Sequence, residues 1–298
     1  MTNDFSIFCK SYAPDLKRAF RLAESVETYN VDGIPFYLAC PEEDLLAFQR
    51  HLRPFKGLEI ISEQEILRKT LGADGGVAED LKRLPAHLMQ QLIKSEYWRL
   101  GLSDHFLIVD SDSFFIRPFF KRDFMSDGQT PYTVFHESKD LFGFAARKRK
   151  ASIKADYQRM STAFMAIFGR QGRHFDFGPT PLIWSARVWE YLYEQYALKN
   201  NTNIVKMLCE FPCEILWYGE ALMYSRVIPI IPVEPLFKVY HYKAQFLESL
   251  RMGENETILA DNYLGIVFQS NWDKSPKLTM ENNPGGMGKR LRQWLDRI

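Results

Sequence analysis

Cysteine is scarce in this chain: Cys9, Cys40, Cys209 and Cys213 are the only four. Cys209 and Cys213 form a lone C-x3-C without a second half, so no disulfide framework or zinc site is signalled, and a reducing, cytoplasmic compartment is expected. An excess of charge of one sign is missing too. The 38 Lys and Arg nearly cancel the 37 Asp and Glu, a formal net charge of +1, which argues against a general nucleic-acid binder. No apolar run is long enough to span a bilayer. Met1 to Ser6 is polar and lacks a signal-peptide pattern. The glycines between Leu71 and Asp80 lack the Lys-Ser/Thr ending of a P-loop and read as a surface loop.

What is present fits an ordinary globular protein. The chain is 46% hydrophobic and 25% charged, enough apolar material for one large α/β domain. Short apolar runs alternate with amphipathic stretches. Strands are predicted at Ser6–Cys9, Ile34–Ala39, Leu58–Ile61 and Phe106–Val109, with helices at Pro14–Tyr29, Pro41–Leu52 and Pro85–Leu100. This succession implies a mostly parallel sheet flanked by helices. The second half is less regular. Strands are expected at Pro131–Phe135, Thr180–Trp184, Ile228–Pro232 and Phe237–His241. Helices are expected at about 155–168, from a Ser185 cap to about Tyr196, and at Glu214–Tyr224.

Phe106-Leu107-Ile108-Val109 ends abruptly in Asp110-Ser111-Asp112. A buried strand here puts both acids at its C-terminal tip, where open α/β sheets bind ligands. Alternate residues of an extended chain point the same way, so the two carboxylates suit one divalent cation, Mg²⁺ or Mn²⁺. On the preceding helix Gln91 and Lys94 share a face and point to nucleotide or phosphate; a solvated face is the plainer alternative. Lys10 and Ser11 follow the first strand at the same sheet edge. His241, between aromatics late in the chain, is a structural residue or a third metal ligand.

Ile7–Tyr12, the Gln91-x-x-Lys94 helix, Asp110-Ser111-Asp112 and His241 together resemble a GT-A-fold glycosyltransferase. The pattern is similar to the bacterial glycosyltransferase-like DUF6492 family. The resemblance implies a Rossmann-type α/β fold and a metal-dependent transfer of sugar from a nucleotide-sugar donor to a saccharide or lipid-linked acceptor, in surface polysaccharide or glycoconjugate synthesis. It implies Mn²⁺ or Mg²⁺ on Asp110, Asp112 and His241, and donor contacts from Lys10, Ser11, Gln91, Lys94, Asp110 and Ser111. Residues 1–288 are then one catalytic domain, with about 1–125 receiving the donor and about 126–288 the acceptor.

Two second-half segments fit the acceptor role. Asp176-Phe177-Gly178-Pro179-Thr180-Pro181 sets a turn that can pass close to a sugar. Glu214 opens a helix, where its charge suits the dipole and where it can also serve as general base, with Asp176 and Glu220 as rivals. Residues 289–298 read as a short basic amphipathic helix, for an anionic membrane surface or for docking on the domain itself. Two other readings compete. A haloacid-dehalogenase-like phosphatase or phosphotransferase also places Asp-x-Asp after an apolar strand, with the first Asp as nucleophile. A non-catalytic sugar-binding protein would keep the site as a relic.

Overall fold

The hydrophobic alternation along two neighbouring strands decides the layering. The computed structural model describes residues 3–73, 81, 84–150 and 152–269. β1 (Asn3–Lys10) and β4 (Ser103–Asp110) are paired in parallel at the centre of a sheet. Phe8, Phe106 and Ile108 enter one buried cluster; Ile7, Cys9, Leu107 and Val109 enter another on the opposite face. A strand buried on both faces needs a continuous apolar run, which these segments supply.

β2 (Phe36–Cys40) and β3 (Leu58–Ser62) extend the sheet on one side, and β7 (Leu182–Ser185) closes the other, giving the order β3-β2-β1-β4-β7. The first four strands are parallel, and β7 runs antiparallel to β4. The fold is thus mixed α/β with a mostly parallel central sheet. On one face lie α1 (Leu16–Tyr29) and α2 (Leu45–Leu52), through Leu22, Val26, Phe48 and Leu52. On the other lie α3 (Glu63–Ala73) and α4 (Ala86–Glu96), through Ile66, Leu67, Leu92 and Ile93. Pro14 occupies a single 3-10 turn, Ala13–Asp15, ahead of α1. α3 runs through Gly72, so Leu71 to Ala73 are helical where a loop was expected, and residues 74–80 lie outside the described residues.

The second half supplies two small sheets. β5 (Ser113–Phe115) pairs antiparallel with β10 (Gly265–Phe268), which pairs parallel with β9 (Phe237–Tyr240). β6 (Tyr132–Val134) pairs with β8 (Ile231–Val233). Around them stand α5 (Lys139–Arg147), α6 (Ser152–Ile167), α7 (Ala186–Tyr191), α8 (Ile204–Glu210), α9 (Glu214–Ser225), α10 (Lys243–Arg251) and α11 (Glu256–Ala260). Ser185 does not cap α7 as expected: its side chain makes no cap bond, and its N–H is given to the Tyr218 hydroxyl at 2.8 Å. The helix then widens into a π turn over Leu192–Ala197. α3, β5, α5, α8, α10, α11 and β10 were not expected from the sequence. The predicted C-terminal helix, 289–298, lies outside the described residues. Among the described residues no helix is long and apolar enough to cross a membrane.

Candidate functional site

The parallel strands end together. Lys10 closes β1 opposite Asp110, the last residue of β4, so these two predicted donor residues lie side by side at one sheet edge. Their bonding differs from expectation. Lys94 projects from α4 and places Nζ 2.5 Å from Asp110 Oδ1 and 3.9 Å from Glu214 Oε1. Thr180 donates to Asp110 Oδ2 at 2.6 Å, and Gln90 donates to Oδ1 at 3.4 Å. One buried network therefore ties β4, α4, the Pro-rich loop before β7 and the first turn of α9.

Charge explains the network. Burial alone raises the Asp110 pKa, but the Lys94 ammonium and the hydrogen bonds from Lys94, Thr180 and Gln90 outweigh it and hold it below the usual range. Lys94 is buried as well; that lowers its pKa, and the two carboxylates reverse the effect and keep it raised. Glu214 is the weak member. Burial raises its pKa, Lys94 opposes from a greater distance, and Asp110 adds to the rise.

A pH dependence follows. The folded state holds the Glu214 proton more tightly than the unfolded chain, so its contribution to stability is fully present below about pH 4.3 and is lost as pH rises through its elevated folded value. The Glu214→Gln variant lacks this slope. Denaturation of both proteins from pH 4 to 8 should show the wild type losing ground steadily to the variant; a difference that does not change with pH refutes the assignment.

Both Asp110 oxygens are thus engaged, and an ammonium sits on one of them. That is a poor setting for a shared divalent cation, and Asp110 does not fit the metal role expected of it. Asp112 has a different setting. Its carbonyl accepts the Phe268 N–H at 3.0 Å, so β10 continues alongside it. Phe268 in turn is in register with Tyr240 of β9, and His241 follows directly. One strand separates the backbones of Asp112 and His241, a span of roughly 10 Å at ordinary strand spacing. Burial lowers the His241 pKa, with Asp176 opposing and His136 adding to the effect, which favours the neutral form that a metal ligand requires. Asp112 and His241 thus lie near one end of the small sheet. Among the described residues no group of three or more His, Cys, Asp or Glu side chains is arranged to hold a metal ion.

His241 also lines a cavity of about 460 Å³, within the roughly 300–1,000 Å³ of sites that enclose a small molecule. Phe135 and Phe175, ring centroids 4.2 Å apart, supply aromatic surface there; Glu137, Asp140, Glu234 and Lys238 supply polar groups. Pro179 lines this cavity. Gly178 lies just behind it, with Ile215 of α9 3.2 Å from where a Cβ would stand. Thr180 is buried and spent on Asp110.

Other expectations need correction. Glu220 is fully buried and forms a bidentate pair with Arg170, Nε to Oε2 at 2.6 Å and Nη2 to Oε1 at 2.5 Å, so it cannot meet an acceptor. Asp176 spends its carboxylate on its own loop, accepting from the Ser138 hydroxyl and, at 3.0 Å, from Gly178 N–H. Gln91 reaches Pro212 O at 3.4 Å, bridging α4 to the start of α9. Lys10 is paired with Glu63 at 2.9 Å. Ser11 and Ser111 are buried at the sheet edge, and the Ser11 Oγ has no hydrogen-bond partner there.

His136 was not anticipated. It donates from Nε2 to Gly178 O and accepts from Ser138 N–H at Nδ1, 3.2 Å, pinning the Pro-rich loop beside the cavity. The one signal in the sequence was a histidine directly after an apolar strand.

The sequence profile of a family of unknown function, DUF6492, matches residues 5–275. No curated protein matches the sequence. Among solved structures, the apo form of mouse xyloside xylosyltransferase 1 aligns with 90% of this chain and 99% of its own, at 9% identity and a TM-score of 0.48.

Proposed function

The chain belongs to the DUF6492 family, whose function is unknown, and from its cleft we propose that it is a metal-dependent glycosyltransferase using a nucleotide-sugar donor. The observation that carries this is the position of His241. It lines the 460 Å³ cavity, and its backbone stands one strand from that of Asp112, which supports a donor edge beside an acceptor cavity. Residues from about 1 to 125 take the donor, and those from about 126 to 288 form the acceptor side. The acceptor is a saccharide, free or lipid-linked.

Asp112 and His241 would hold Mn²⁺ or Mg²⁺. When bound, the cation supplies positive charge to a departing nucleoside diphosphate. Asp110 is a positioning residue: gripped by Lys94, it fixes Thr180 and through it the loop carrying Pro179. Ser11 offers a buried hydroxyl to the donor at the end of β1. Glu214 is our choice of general base, since burial raises its proton affinity above that of a surface carboxylate. Asp176 is already committed to its loop. The phosphatase alternative is disfavoured for a related reason: Asp110, its nucleophile, has both oxygens occupied.

A thermal-shift panel of nucleoside diphosphates and nucleotide sugars, with and without Mn²⁺, tests the reading. A ligand at 100 times its Kd adds about 2.7 kcal/mol to the folded state. At least one nucleotide should raise the midpoint, and only with Mn²⁺. No shift with any nucleotide, together with phosphate release from p-nitrophenyl phosphate, would transfer the assignment to the phosphatase class.

A further inference from the structure

The cavity at His241 is not closed on its far side. A second hollow of about 230 Å³ continues it between α5 and α10, and the two share Lys139, Asp140, Lys238, Val239 and Gln245 as a common wall. His241 lines only the first hollow, while Gly143 and Arg147 of α5 line only the second. The groove therefore has a reacting end and a distal end.

Its chemistry is selective. Three cationic side chains, Lys139, Lys238 and Arg147, face five carboxylates along the two hollows: Glu137, Asp140, Glu234, Glu248 and Glu254. Most of the acids are paired: Glu137 with Lys139 at 3.6 Å and Arg173 at 3.2 Å, Asp140 with Lys238 at 3.9 Å, and Glu248 with Arg147 at 3.4 Å and Lys148 at 3.5 Å. With its cations committed to these acids, the lining gives a phosphate chain little positive charge to bind. It suits hydroxyl groups, which donate to carboxylates at no charge penalty. Gln245 stands at the junction. Its Oε1 accepts the Tyr242 N–H at 3.1 Å at the start of α10, which leaves the amide N–H groups as donors for a ligand oxygen. Phe135, Phe175 and Tyr263 in the first hollow add flat apolar surface of the kind that covers a sugar ring.

We infer that this groove binds a neutral oligosaccharide of at least two units, with the terminal unit beside His241 and the next between α5 and α10. The inference rests on the glycosyltransferase reading in naming the groove as the acceptor site. It goes further in specifying chain length and in excluding a phosphate on the portion bound there.

Binding can be measured without turnover. The probes are maltose-series and chitin-series oligosaccharides of one to six units, with glucose 1-phosphate for comparison, titrated into the full chain by calorimetry. In at least one series affinity should rise about tenfold or more between one unit and four, and the phosphate should bind no better than the neutral monosaccharide. The Gly143→Phe variant fills the second hollow. A Cβ at Gly143 meets only the flexible end of Arg147, at 3.6 Å, so the backbone there admits a side chain. In that variant the length dependence should vanish while monosaccharide binding persists. Affinity independent of length, preference for the phosphate, an unchanged length dependence in Gly143→Phe, or no saccharide binding at all would each overturn the inference. Nucleotide binding in the thermal-shift panel is scored separately. Saccharide chains bound without nucleotide binding would sink the transferase reading and leave the groove; the reverse would sink the groove alone.

Discussion

Replacing Lys94 with Met should cost about 3–5 kcal/mol of folding stability, the usual cost of removing one partner from a buried ion pair. The Lys94 side chain is only 5% exposed, and it is the ammonium shared by Asp110 and Glu214. Methionine matches the stem in volume, so little of the loss comes from a cavity. The cost is electrostatic: two carboxylates remain buried without their cation, and at neutral pH at least one must ionise there or take up a proton. Urea denaturation measures the loss. The Lys94→Met/Glu214→Gln double variant should recover part of it, because the two residues interact directly. A loss below about 1 kcal/mol in the single variant would mean that the network contributes no more than a surface salt bridge.

That network also marks the boundary of what could be read from the sequence. The central sheet was legible because strands buried on both faces need continuous apolar runs, and Phe8 and Ile108 lie in such runs. The edge carrying Lys10, Ser11 and Asp110 was legible for the same reason: parallel strands end together. What stayed hidden depends on partners distant in the chain. Asp110 is bound by Thr180, which the sequence offered as an acceptor contact, and a hydrogen bond across 70 positions leaves no local trace. Glu220 looked available on its helix, but Arg170, 50 positions earlier, holds it in the core. β5 and β10 span three and four residues, too few for periodicity to register, and exist through their pairing with each other. β10 is nevertheless the strand that carries the Asp112 edge toward His241. The cavity was missed on similar grounds, since its lining comes from short strands and loops whose residues converge only in the fold.

The two acids of Asp110-Ser111-Asp112 should respond to substitution in opposite ways, and this separates a metal site from a structural tie. Asp112→Ala should weaken Mn²⁺-dependent nucleoside diphosphate binding about a hundredfold or more, since the loss even of a residue supporting a metal ligand costs 10–100-fold. The pairing that holds this turn to β10, Phe268 N–H to the Asp112 carbonyl, belongs to the backbone and survives the substitution. Asp110→Asn should do the reverse. An amide can still accept from Thr180, but it withdraws the negative charge nearest Lys94, leaving that ammonium to Glu214 at 3.9 Å. The stability loss should be measurable in urea, with Mn²⁺-dependent binding largely kept in the protein that remains folded. Isothermal titration of nucleoside diphosphate with and without Mn²⁺, run beside denaturation curves, gives both readouts for both variants. If Asp110→Asn abolishes metal-dependent binding while Asp112→Ala leaves it intact, the cation belongs on the carboxylate that Lys94 occupies, and the pairing of Asp112 with His241 is wrong.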